Sequence, residues 1–532
     1  MKKYVSLFMI LVMCMSMLVG CVTKTDNKSE KTQIEGIQIE LSDSNVLVDG
    51  VKATHDDTQA VYVAHDIVYY EEGHDFTYGE GEKEDEHSKE EANKHLVVHI
   101  TKPGNYVLTG KMSAGQVAID LGKDSKKDPE AVVNLYLNGV EINNTVAPAI
   151  IFYNVYEPFN EVDEKTATKD VDTSNAGANV FIVDDTVNNI TGSHVARIYK
   201  PDSVILSEDG KFVEDAKKLH KYDAAFYSKV TMNVNGGANN TGLLNIKADN
   251  EGLDSELHLT INGGIINIES GNDGINTNED GVSVTTINGG TLNIFVNGST
   301  GEGDGIDSNG WLVINGGTVT AEACGFSMDS GIDSDMGIHI NGGTVIATGN
   351  MLDRISESNQ TYAILNFSKF LGAGTYSLKN SDNVVVLKKE IKNSFTSLII
   401  SSTNLIEGDY TLWYNDTQLV GFASDNGGMF GGSMPNFPMG EMPEGMTPPK
   451  DFNGQGPTLP EGFDPNKMKP DMEGMTPPDN FNRDKMNFDR SENRGQRPNN
   501  IGGNMPNVAI PLSEIFTIKS GENFFSFISI KE

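Results

Sequence analysis

The sequence predicts an all-β protein, built as a right-handed parallel β-helix (a solenoid) with a C-terminal β cap. Three observations lead there. First, an Asn-Gly-Gly phrase recurs with its Asn at 235, 262, 288, 315 and 341, in steps of 27, 26, 27 and 26 residues. A steady period of this size marks one supersecondary unit per repeat. Second, short alternating runs rich in Ile, Val and Thr flank each copy, such as Trp311-Leu312-Val313-Ile314 before it and Thr291-Leu292-Asn293-Ile294-Phe295-Val296 after it. Alternation at period two is a strand with one buried face, and Asn-Gly-Gly supplies the special backbone angles of a tight corner. Third, a second phrase follows: EGLDS at 251–255, DGINT at 273–277, DGIDS at 304–308 and SGIDS at 330–334. Three short strands in about 26 residues fit one turn of such a helix, whereas a propeller blade needs about 40 residues or more.

Taken in order, the chain begins with Lys2-Lys3, an apolar stretch and then Leu18-Val19-Gly20-Cys21. This reads as a bacterial lipoprotein signal over 1–20, with Cys21 carrying the lipid and 21–33 a polar tether. The expected location is the extracellular face of the cell membrane, held by that anchor. Loss of the signal removes Cys14 and leaves Cys324 as the one other cysteine, so no disulfide framework is expected. Residues 34–95 hold strand-like runs at 34–41 and 61–70, then an acidic insertion. Six of the ten His fall between 55 and 99, and the insertion reads as a solvated, mobile segment rather than a metal site.

The β-helix is assigned to 96–350, with loops at 158–178 and 194–221, the second containing a short helix near 213–219. Residues 351–424 alternate without Asn-Gly-Gly and read as the cap. The tract 425–507 is rich in Met, Pro and Gly and repeats Glu-Gly-Met-Thr-Pro-Pro at 444–449 and 473–478. With so few β-branched residues it reads as disordered, a place where a surface partner could bind. Strand alternation returns over 508–532, so the tract is an insertion between the last strands of the cap.

Stacked repeats set equivalent residues about 4.8 Å apart. Ile261, Ile287, Ile314 and Ile340 form one inward column, and Leu253, Ile275, Ile306 and Ile332 another. Two outward columns are polar: Glu251, Asp273 and Asp304, with Ser330 in the last place, and Asp254, Asn276, Asp307 and Asp333. Both are read on one face. Two carboxylates at that spacing repel by roughly 3 kcal/mol at an effective dielectric of about 20. A bound cation explains their repetition better than solvated acids do. Hard oxygen donors favour Ca²⁺, so Glu251, Asp254, Asp273, Asn276, Asp304, Asp307 and Asp333 are the candidate metal ligands. Asx-type corner capping is the bland alternative. Zinc lacks the His and Cys it needs. An EF-hand fails because the twelfth position after Asn276 is Ile287, where a Glu is required. The formal net charge of −35 argues against nucleic-acid binding.

The phrases GNYVLTG, LYLNGVEI, DAAFYSK, INGGTLNI and DGIDS, followed by SLIISSTNLIEGDYTLW and SGENFFSF, resemble the carbohydrate-binding domain family of bacterial surface lipoproteins. The resemblance covers roughly 96–424 and 508–532. It implies a β-helix similar to pectate lyases, calcium, and recognition of cellulose or acidic pectic polysaccharide. The long acidic insertion before Leu96 and Ser330 in place of an acid depart from the pattern. A lyase acting by β-elimination needs a base beside the cation. Lys247 is a weak candidate and Arg354 lies beyond the repeats, so binding without turnover is favoured. Phe295 and Trp311 are the candidate sugar platforms, and a calcium bridge to uronate carboxylates is an equal route. A structural or adhesive surface role is the third reading.

Overall fold

The structure, a computed structural model, describes residues 34–353, 355–423 and 513–530. Cys21 with the signal and tether, Arg354 and the 425–507 tract lie outside these residues. The described residues are all-β, with one α-helical turn at Lys89–Ala92.

Most strands belong to three ladders of parallel strands. The first runs through Val133–Asn143, Ala178–Ile182, Met232–Gly236, Leu259–Ile261, Val284–Ile287, Trp311–Ile314, Gly337–Ile340 and Ile355–Ser358. The second shares Val133–Asn143 and continues through Val187–Gly192, Leu243–Ala248, Ile265–Ser270, Thr291–Val296, Thr318–Glu322 and Thr344–Gly349. The third comprises Leu96–Ile100, Gly115–Asp120, Ile150–Asn154, Ala224–Ser228, Glu251–Ser255 and Ile275–Thr277. Single bridges carry it on from Ile275 to Ile306 and Ile332. The two apolar columns read from the sequence are in register here and fully buried in one continuous core.

The corner phrase owes its form to two constraints. Each corner Asn donates its Nδ2–H to the Oδ1 of the preceding one, at 2.9 Å from Asn262 to Asn235, 2.8 Å from Asn288 to Asn262 and 2.9 Å from Asn315 to Asn288. The second Gly takes positive φ in four copies, from +82° at Gly317 to +90° at Gly264, a region that costs a side chain energy. The other phrase needs glycine for space. A Cβ on Gly274 would sit 2.1 Å from Ile294 Cγ2 and 2.6 Å from the Gly305 carbonyl, because the third ladder presses its backbone against the second.

The cap is antiparallel. Phe395–Ser402 pairs with Thr344–Gly349 on one side and Tyr362–Leu371 on the other, which joins the cap to the end of the second ladder. Phe367, Tyr376, Phe395, Phe516, Phe525 and Phe527 fill its own core. A two-way hydrogen-bonded bridge between Gly421 and Ser513 brings the two ends of the intervening tract side by side.

Two expectations are corrected. The insertion 71–95 is not a free solvated segment. Its Tyr78, with Tyr70 just before it, joins a core with Tyr222 and Tyr227, and Gly79 bridges to Ile198. Arg197 donates to Glu80 at 2.9 Å, and His194 lies 3.1 Å from Asp85 and 3.4 Å from Asp249. Burial opposes charge on His194, but Asp249 and Asp85 outweigh it and push its pKa up to about 10. The segment expected to hold a helix near 213–219 instead forms strands Val213–Asp215 and Lys218–Tyr222, paired antiparallel with Ile205–Leu206 and Val195–Tyr199. Antiparallel pairing within the segment overrides helix propensity there.

Replacing Gly274 with Ala is expected to cost about 1–3 kcal/mol through overpacking against Ile294. Thermal unfolding measures it, and a midpoint equal to that of the parent refutes the close-approach argument.

Candidate functional site

The polar residues of the third ladder are brought together by register. Asp254 stands beside Asn276 through the Leu253–Ile275 pair, and the Ile275, Ile306 and Ile332 bridges align Asn276 with Asp307 and Asp333. The same alignment sets Glu251, Asp273, Asp304 and Ser330 in a row. Glu251 and Asp254 are three positions apart, which in a flat strand would put them on opposite faces. Gly252 and Leu253 both turn inward, Gly252 against Ile268, and the chain bends there. The acids therefore act on one another, and burial followed by the charge of Asp254 raises the pKa of Glu251.

The lower part of this column is the strongest metal candidate. Asp304, Asp307 and Asp333 each offer a carboxylate oxygen, and the three oxygens lie within 4.8 Å of one another. Burial, and then Asp273, Asp333 and Asp307, push the carboxyl of Asp304 up to about 9. Burial and the charge of Asp307 bring Asp273 to about 7, and burial with Asp333 and Asp335 brings Asp307 to about 6. Backbone N–H groups relieve part of this. Asp304 N–H donates to Asp273 at 2.6 Å, and Ser330 N–H donates to Asp304 at 2.5 Å. Ser330 thus supports the column through its backbone where it lacks the acid.

The upper part is drier. Glu251 and Asp254 are buried, and burial followed by neighbouring acids holds both carboxyls well above the usual range. Asn276 Nδ2–H donates to Glu251 at 3.3 Å, and Asn278 Nδ2–H to both oxygens of Asp254 at 3.0 Å. Glu251 Oε2 and Asn276 Oδ1 are buried without a hydrogen-bond partner. Two orphaned oxygens beside several carboxylates are the donor set a hard cation takes.

Sequence reasoning missed part of this neighbourhood. Lys221 pairs with Asp223 at 2.8 Å, and both charges act on Asp254. Asp223 precedes strand Ala224–Ser228, whose DAAFYS lacks the acid-Gly spacing that marked the other repeats. Asp335 and Asp329 also act on the cluster.

The remaining candidates stand elsewhere. Lys247 is on the outer face of the second ladder, exposed and 3.4 Å from Glu269. Phe295 is two repeats further along the same column, with Lys392 Nζ 4.6 Å from its ring centre. Trp311 is on the first ladder, between Val284 and Gly337, so it does not share a surface column with Phe295.

Residues 94–394, more than half of the chain, match a family described as carbohydrate-binding domain-containing protein. The chain belongs to that family. Among solved structures it is similar to one titled as the polysaccharide lyase-like protein from C. thermocellum, a gadolinium derivative. The identity is 18%, covering 61% of this chain and 93% of that one, with a TM-score of 0.34. No curated protein matches it.

The raised carboxyls give a pH dependence. Their unfolded counterparts titrate near 3.9, so the folded state binds the extra protons and stability falls as pH rises. With divalent ions chelated, the melting temperature is expected to drop progressively between about pH 5 and pH 9, as Asp307, Asp273 and Asp304 ionise in turn. A midpoint that rises across this window contradicts the shared-column electrostatics.

Proposed function

We propose that this protein is a calcium-dependent polysaccharide-binding lipoprotein, displayed on the extracellular face of a bacterial membrane through lipid on Cys21. Family membership supports the carbohydrate. The observation that carries the metal is the Asp304, Asp307 and Asp333 triad, three half-buried carboxylates gathered within 4.8 Å. In this reading Ca²⁺ takes those oxygens, with Asp273 beside them, and a second ion takes Glu251, Asp254 and Asn276. Each ion supplies positive charge where the stack concentrates negative charge. The three parallel ladders, repeating every 26 or 27 residues from Met232–Gly236 to Gly337–Ile340 in the first and from Ile265–Ser270 to Thr344–Gly349 in the second, support a right-handed parallel β-helix. The expected ligand class is acidic pectic polymer or cellulose.

Lyase activity is the second reading, and Lys221 is what favours it: a lysine set among the acids of the column. The electrostatics count against it. Burial lowers the pKa of Lys221, but Asp223, Glu251 and Asp254 outweigh burial and leave it above the usual lysine value. A lysine held protonated is a poor acceptor for the proton α to a uronate carboxylate. Lys247, paired with Glu269 on another ladder, is no better placed. Binding without turnover is therefore preferred.

Calcium at about 100 times its dissociation constant is expected to stabilise the protein by about 2.7 kcal/mol, a rise of a few degrees in melting temperature. Asp304→Asn is expected to remove the share of that rise due to the Asp304, Asp307 and Asp333 site while leaving the chelated protein close to its parent in stability near pH 7, because Asp304, its pKa pushed up to about 9, is uncharged there and Asn keeps an oxygen for the Ser330 N–H. Retention on immobilised polygalacturonate and cellulose, with and without EDTA, tests the glycan. Calcium-dependent retention without appearance of unsaturated uronate absorbance supports binding. Growth of that absorbance converts the assignment to a lyase, and retention on neither polymer leaves a structural surface role.

A further inference from the structure

A second polar surface lies on the outer face of the second ladder. The hairpin formed by Gly374–Asn380 and Val385–Ile391 of the cap leans over that face and closes a groove of about 940 Å³. We propose that this groove, rather than the acidic column, holds the glycan, and that its occupant is an anionic, uronate-bearing polysaccharide. The inference rests on the carbohydrate-binding reading above and assigns it a place.

The floor is a row of carboxamides. Asn245 Nδ2–H donates to Asn189, Asn267 to Asn245 and Asn293 to Asn267, each at 2.9 Å. Parallel register spaces them about 4.8 Å apart. Each retains one N–H and part of its oxygen's accepting capacity, held in one orientation by the chain of bonds. Repeated donors and acceptors at the spacing of a strand ladder suit a polymer, whose hydroxyls also repeat, better than a single small molecule. Thr320, also lining the groove, is 2% exposed, and its Oγ1 has no hydrogen-bond partner.

The wall is cationic. Lys388, Lys389 and Lys392 line the groove from the cap side and Lys247 from the floor. In a chain of net charge −35 such a gathering is unexpected from composition. Lys389 Nζ donates to Asn293 Oδ1 at 2.9 Å, which ends the carboxamide row on a positive charge. Burial outweighs the charge of Glu322 and, with Lys392, lowers the pKa of Lys389, so an incoming carboxylate would add a counter-charge there. Three acids also line the groove; Glu390 is exposed, and the other two are engaged. Glu269 pairs with Lys247, while Glu322 accepts the backbone N–H groups of Lys392 and Asn393 at 2.7 and 2.9 Å, which fixes the wall to the floor. Phe295 lies at this end with Lys392 over its ring. Its environment is therefore charged as well as aromatic, which favours uronates over neutral glucan.

The test compares polygalacturonate with its carboxyl-reduced, neutral form, measured by calorimetry on the calcium-loaded full chain. The parent is expected to prefer the anionic polymer, and the double variant Lys388→Gln with Lys392→Gln to bind it about tenfold more weakly. The calcium-induced melting shift should be unchanged in that variant, which shows that it folds and keeps its metal. Charge reversal at the same two lysines should weaken binding further. Full affinity in both variants overturns the groove. If Asp304→Asn abolishes binding while both lysine variants keep full affinity, the glycan sits on the acidic column through the metal, and the calcium-dependent function survives without this site. If the parent binds neither polymer, the carbohydrate reading itself fails.

Discussion

Parallel register is the constraint from which the rest of this structure follows. Once strands stack in phase, whatever occupies a position meets its own kind about 4.8 Å above and below. For Ile and Leu that is favourable, and the apolar columns form one core along the stack. For Asn it is also favourable, because a carboxamide carries both donor and acceptor and can satisfy its own copy. For Asp and Glu it is not. Two ionised acids have only lone pairs to offer each other.

The three ladders show these outcomes side by side. The corner Asn residues of the first bond one another and leave little unmet. The second carries another Asn row, whose spare donors and acceptors face a groove instead of bulk solvent. In the third, the acids are raised in pKa by burial and by one another, and backbone N–H groups offset only part of the cost. The proposed metal belongs to the one column whose stacking is unfavourable in itself. An exposed acidic row could rely on water, but Asp254 is fully buried and cannot.

Much of this was legible in print because the repeat projects spatial neighbours onto a fixed sequence interval. The Asn-Gly-Gly period, the apolar columns and the acids at 273, 304, 307 and 333 could all be read that way. What escaped has no period. The insertion 71–95 packs on residues 194–222 through Tyr78, Gly79 and the His194–Asp85 contact, a pairing of two irregular segments more than a hundred residues apart. Lys221 reaches the acids from one of those segments. The groove needs the cap hairpin, which folds back over repeats about a hundred residues earlier, as the Lys389–Asn293 bond shows. Asn245 and Asn293 occupy outward positions of alternating strands, but their row acquires a wall only through that return. The bend at Gly252, which puts Glu251 and Asp254 on one side, depends on ladder-to-ladder packing that strand periodicity does not describe.

This separation bears on how an acidic chain could hold an acidic polymer. Direct approach of a polyuronate to the third ladder would meet carboxylates already in mutual repulsion, and only bound cations could reverse the sign. The second ladder needs no such intermediary, since its lysines are covalently in place and two of the groove's acids, Glu269 and Glu322, are paired or hydrogen-bonded. A cation on the column would then act on the glycan at a distance, by keeping in phase the strands that continue directly into the groove floor: Leu243–Ala248 leads into Glu251–Ser255, and Ile265–Ser270 into Ile275–Thr277. Between each such pair only a few residues intervene, so loss of register in the acids would be felt by the carboxamides. Calcium dependence and anion recognition can thus reside on different faces and still rise and fall together.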